Sequence, residues 1–178
     1  MNRSARRLFT LAARCGVAWW LAMAIPAPTA HSEIRETLLS YRDWQVRSWE
    51  SDDGERWCIA EAKKDAQTFS IEIAAGLIRL HFSAQGWSFG DGYEDRLVLR
   101  IDQKVAWKFP NVQRVKDFML LVLPETGRGR KFIAGIAKGS ELSLGGGKDK
   151  IEATYPIAGA SVAMAALSDC EKLFLGRK

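Results

Sequence analysis

Histidine is scarce in this chain. His31 and His81 are the only two among 178 residues, which excludes a histidine-rich metal centre. Cysteine is nearly as rare, at Cys15, Cys58 and Cys170. Long apolar runs are missing: the stretch from Cys15 to Ile25 is too short to cross a bilayer, and Arg14 would fall inside any longer span. There are no internal repeats and no low-complexity segments. A dominant charge of one sign is also lacking. The net charge of +5 suggests a polyanion partner, but four of the 26 basic residues (Arg3, Arg6, Arg7 and Arg14) precede the first acid, Glu33. Residues 31–178 hold the remaining 22 against 21 acids, a net of +1. That balance leaves no broad electrostatic footprint for nucleic acid.

The chain opens with the layout of a secretory signal peptide. Arg3, Arg6 and Arg7 are followed by a mostly apolar stretch from Leu8 to Ile25, a break at Pro26 and Pro28, and small residues. Removal of residues 1–30 near Ala30 is expected, with Ala22-Met23-Ala24 as an alternative small-x-small site. Arg6-Arg7-Leu8-Phe9 is similar to the core of a twin-arginine signal, but Ala5 and Thr10 depart from that pattern, and general secretion is preferred. Residues 31–178 then form a single exported domain, periplasmic or secreted, without a transmembrane span after cleavage.

Short alternating runs separated by turn signals fill the rest. Tyr41 to Trp49 alternates, which puts Trp44, Val46 and Ser48 on one face. Asp53-Gly54 marks a hairpin whose return strand, Glu55 to Ala60, carries Cys58. Gln67 to Ile73 and Gly76 to Phe82 predict further strands. Asp95 to Ile101 and Lys104 to Phe109 predict a second hairpin through Asp102-Gln103. Phe118 to Leu123 is continuously apolar up to Pro124, which predicts a strand buried on both faces. Glu141 to Leu144 and Ile151 to Tyr155 complete the set. His31 to Leu39 reads as a lead-in with a helical turn, Glu125 to Lys131 as a charged loop, and Phe132 to Lys138 as a short helix stopped by Gly139. A last helix, N-capped by Ser161, places Ala163, Ala166, Leu167, Cys170, Leu173 and Phe174 on one side and Ser168, Glu171 and Lys172 on the other. The predicted fold is mainly β: a single β-sandwich or barrel-like domain with a short helix and a C-terminal capping helix.

Loss of Cys15 with the leader leaves Cys58 and Cys170. An even pair in an exported chain predicts a disulfide between them, with two buried free thiols as the alternative.

Other motifs point to little chemistry. His81, between Leu80 and Phe82, reads as a surface residue. Gly145-Gly-Gly-Lys148 is not a phosphate loop, because Asp149 stands where the magnesium-holding hydroxyl belongs. Asp91, Glu94 and Asp95 lack the ordered oxygen ligands of an EF-hand and read as a solvated turn; a carboxylate pair there is the candidate for hydrolysis. Arg128, Arg130 and Lys131 read as a solvated basic loop that an acidic surface would meet. Trp87 and Phe89, in a Gly-bounded loop, are the aromatics expected to be exposed and to contact a ligand. No cofactor and no metal site is expected.

Several segments, by order and spacing, resemble the bacterial invasion-associated locus B family. They are the signal peptide, the Trp44-Gln-Val46 strand, Cys58 on the next strand, Phe132-Ile-Ala-Gly-Ile-Ala-Lys-Gly139, and Tyr155-Pro-Ile-Ala-Gly-Ala-Ser161 leading to a small-residue helix with Cys170. The likeness covers roughly Tyr41 to Leu173. Arg47-Ser48 stands where the family carries a cysteine after its first strand, and the family's central cysteine pair is missing between Lys108 and Leu123. The resemblance implies a small periplasmic or surface-associated β-rich protein without known catalysis, and in some members a part in host-cell invasion. The expected function is a non-enzymatic exported protein that binds an unknown protein or envelope partner. The competing expectations are an envelope glycan-binding module and an Asp/Glu-dependent hydrolase.

Overall fold

Alternation of apolar and polar residues builds the first layer, since every second side chain on a strand points to the same face. Trp44, Val46 and Ser48 are fully buried, and they lie in register with Ala62, Ala60 and Cys58 on the next strand. The computed structural model describes residues 32–74, 76–88, 92–94, 96–110, 112–146 and 151–176, so the leader expected over residues 1–30 lies outside it. The strands are β1 (Ser32–Tyr41), β2 (Trp44–Ser51), β3 (Arg56–Lys64), β4 (Gln67–Ala74), β5 (Leu77–Ser83), β6 (Gly92–Glu94), β7 (Leu97–Ile101), β8 (Lys104–Phe109), β9 (Val112–Val115), β10 (Phe118–Pro124), β11 (Glu141–Gly146) and β12 (Ile151–Pro156). The helices are α1 (Gly127–Lys138) and α2 (Ala160–Phe174).

The strands form two antiparallel sheets. The large sheet runs β1-β2-β3-β4-β5-β10-β9-β6 and the small one β12-β11-β7-β8. The fold is the predicted mainly-β sandwich with a C-terminal helix. The inner face of the large sheet is shared: β12 packs on β3 and β4, while α2 packs on β1, β2 and β3. Tyr155 of β12 joins the halves, its ring 5.4 Å from Phe82 and 6.2 Å from Phe69. Its hydroxyl donates to the Ser83 carbonyl at 3.2 Å, and burial pushes the phenol well above its ordinary pKa. Each large side chain buried here contributes about 1.5–3 kcal/mol to the core.

Several expectations are corrected. The lead-in is strand β1 rather than a helical turn; two register shifts, at Ile34/Glu36 and Thr37/Leu39, break the alternation that would have marked it. β10 is buried on one face only: Met119, Leu121 and Leu123 point inward, whereas Val122 is 48% exposed. α1 begins at Gly127, inside the segment expected to be a loop. Gly129 reads as a loop residue but serves close packing, since a Cβ there would lie 2.0 Å from the Pro124 carbonyl oxygen. α2 starts two residues earlier than expected, with Gly159 at φ +92° as its N-cap and Ser161 exposed within the first turn. Glu171 is buried and Leu173 is 77% exposed, the reverse of the expected faces.

Cys58 and Cys170 form the predicted disulfide, with Cα atoms 6.1 Å apart. It ties the middle of the large sheet to α2. Among the described residues, no helix is long and apolar enough to cross a membrane.

Candidate functional site

Among the described residues, those singled out from the sequence do not converge on one site. Trp87 is half-buried against the core, and its backbone N–H donates to the Ala84 carbonyl at 3.2 Å. Phe89, Asp91 and Asp95 lie outside the described residues, as does 147–150 of the glycine-rich turn. Gly145 and Gly146 belong to β11, paired with Val98 and Leu97.

His81 sits on the outer face of the large sheet in a charged cluster. Glu72 of β4 lies opposite Arg79 of β5 and pairs with it. The His81 Nε2 approaches the other Glu72 oxygen at 3.3 Å without hydrogen-bond alignment, and its ring lies 5.9 Å from that of Phe118. Burial raises the Glu72 pKa, but the contacts with His81 and Arg79 outweigh it and hold the carboxyl below its usual range. A carboxylate held ionised beside Arg79 and His81 is a cross-strand tie, not a proton donor.

The expected basic loop is also structural, because it is the first turns of α1. Arg130 donates to Glu171 through both terminal nitrogens, at 2.7 and 2.9 Å, and also pairs with Glu125. The hydrogen bonds to Glu171 raise the Arg130 pKa against the opposing effect of burial. This fork fastens α1 to the otherwise apolar face of α2. The Arg128 guanidinium carbon lies 4.5 Å from the centre of the Trp107 ring, a cation–π contact that holds α1 to β8.

The arrangement with the most to offer a ligand was not singled out from the sequence. On the outer face of the small sheet, β7 and β8 build a cleft of 460 Å³ lined by Arg96, Val98, Arg100, Val105, Lys108 and Pro110, with Leu97 and Phe109 behind them. Register explains its make-up. Val98 stands opposite Lys108 and Arg100 opposite Val105, so each cross-strand pair sets a cation beside a valine. Val105 is 53% exposed, so the apolar component is presented to solvent. The hairpin from 96 to 110 holds four basic residues and one acid, Asp102. That carboxylate accepts the Ser140 and Glu141 backbone N–H groups at 2.9 and 3.0 Å, away from the cleft lining. Residues 31–178, with a net charge of +1, thus concentrate cations at one place. The signal was present in the alternation: Leu97, Leu99 and Ile101 take one face, Arg96, Val98 and Arg100 the other. Among the described residues, the cleft lining offers cations and apolar surface but no carboxylate, imidazole, thiol or hydroxyl side chain. No family model, curated protein or solved structure matches the chain.

Proposed function

We propose that this chain is a non-enzymatic binding protein exported to the bacterial periplasm or cell surface, related to the invasion-associated locus B proteins. Its contact with an acidic envelope partner is the cleft on β7 and β8. The observation that carries the binding reading is the lining itself: Arg96, Arg100 and Lys108 around an apolar floor, without a carboxylate, imidazole, thiol or hydroxyl side chain among the described lining residues. Export is supported by the leader-like start of the sequence and by the Cys58–Cys170 disulfide, a bond suited to an oxidising compartment. Trp87 gives less support to a glycan platform, because part of its ring is already packed on the core.

Two measurements test this. Intact mass of the protein from its own host, with and without reduction before alkylation, should show a shortened chain that takes two alkyl groups only after reduction. A full-length chain alkylated at three cysteines without reduction would sink the export reading. Envelope membranes should retain the wild-type protein at low salt and release it at roughly 1 M salt, where the Debye length is about 3 Å. The double variant Arg96→Glu/Lys108→Glu should be soluble at both. Equal retention of the variant refutes the role of the cleft.

A further inference from the structure

We infer that the cleft binds an anionic amphiphile, with a phosphate or carboxylate head held by Arg96, Arg100 and Lys108 and an apolar chain laid over Val98, Val105 and Pro110. This rests on the cleft reading above and names the ligand class. Three features decide it. The volume of 460 Å³ matches a small-molecule site rather than an extended macromolecular face. Two of the cations are arginines, whose planar fork matches the oxygens of phosphate and carboxylate. Arg100 and Lys108 do not follow one strand, as a track for a polyanion would; the pairing sets them diagonally across β7 and β8, interleaved with Val105 and Val98. A simple anion would leave the exposed Val105 unused, and a neutral lipid would leave Arg96 and Lys108 without a ligand contact.

An added peptide strand fits this place poorly. β8 is the edge of the small sheet, but a register shift between Val105 and Trp107 kinks it, and Lys104 and Lys108 are exposed along it. A bulge and edge lysines are devices that blunt strand pairing.

The test titrates dodecyl phosphate, below its micelle concentration, into the oxidised, processed protein and follows the heat. One-to-one saturation is expected. Octyl phosphate should bind about tenfold more weakly, a part of the roughly fourfold per methylene that full burial gives. Inorganic phosphate and dodecyltrimethylammonium should not saturate over the same range. Arg96→Gln/Lys108→Gln should weaken dodecyl phosphate about tenfold or more, as loss of charge-assisted contacts implies, and Val105→Asn should abolish the chain-length dependence, both with unchanged melting. Vesicles of phosphatidylglycerol separate the sources of the same chemistry: flotation with them assigns a bilayer lipid, and binding of the monomer without flotation assigns a free amphiphile. Equal binding of the cationic and anionic detergents, equal binding of inorganic phosphate, or no heat at all would overturn the inference. If it fails while envelope retention still depends on Arg96 and Lys108, only the ligand class is wrong. If both fail, the cleft is not the site.

Discussion

Arg130→Ala tests the join between the two helices. In the native fold Glu171 is 4% exposed, and its carboxylate is gripped by a two-pronged guanidinium at 2.7 and 2.9 Å. The variant takes the guanidinium away and leaves the carboxylate where it is. Breaking one side of a buried pair costs about 3–5 kcal/mol. Arg130 itself is 41% exposed, so water screens the pair and can reach the vacated place. A loss of about 2–3 kcal/mol is therefore expected at neutral pH. That corresponds to a fall in melting temperature of roughly 5–10 °C for a domain of this size. Thermal melts followed by circular dichroism, with the disulfide intact, measure it. The double variant Arg130→Ala/Glu171→Gln should recover at least half of the loss at pH 7. A wild-type melt for Arg130→Ala would refute the argument.

Three further outcomes follow from the same structure. Cys58→Ser/Cys170→Ser should lose up to about 4–5 kcal/mol in denaturant titration, because the bond closes a loop with a sequence separation of 112; an unchanged midpoint would mean that the bond constrains nothing. Gly129→Ala should destabilise by about 1–3 kcal/mol through overpacking, since its Cβ would sit 2.0 Å from the Pro124 carbonyl oxygen, and a neutral result would show that α1 shifts freely. The stability contributed by ionised Glu72 is present above its unfolded pKa and is lost as pH falls through the depressed folded value, so Glu72→Gln should flatten the acid limb of the wild-type stability curve below about pH 4.5. Parallel acid limbs in the two proteins would remove the cluster from the account.

Elements with clean local signals were legible in the sequence. Asp53-Gly54 and Asp102-Gln103 mark real hairpin turns, and Trp44, Val46 and Ser48 share the buried face that alternation assigns them. Elements whose identity depends on distant partners were not. Glu171 looks like a solvent-side residue until Arg130, 41 positions earlier, is brought against it. Gly129 looks like a loop residue until Pro124 presses on it. β1 was hidden by its own irregular register. The cleft was half visible: alternation put the cations of β7 outward, but only the pairing with β8 set Lys108 beside Val98 and Val105 beside Arg100.

The disulfide has a consequence for biogenesis. Cys58 is made 112 residues before the partner it needs. At ordinary rates of about 5–20 residues per second, translation takes roughly 6–20 s to supply that partner. Throughout that interval Cys58 is a thiol without its native mate, open to exchange with small disulfides or with the disulfide of an oxidoreductase, which leaves as a thiolate. A chain interrupted anywhere between the two positions keeps that lone thiol for good. The closed bond is therefore a chemical mark of a chain synthesised through Cys170 of α2.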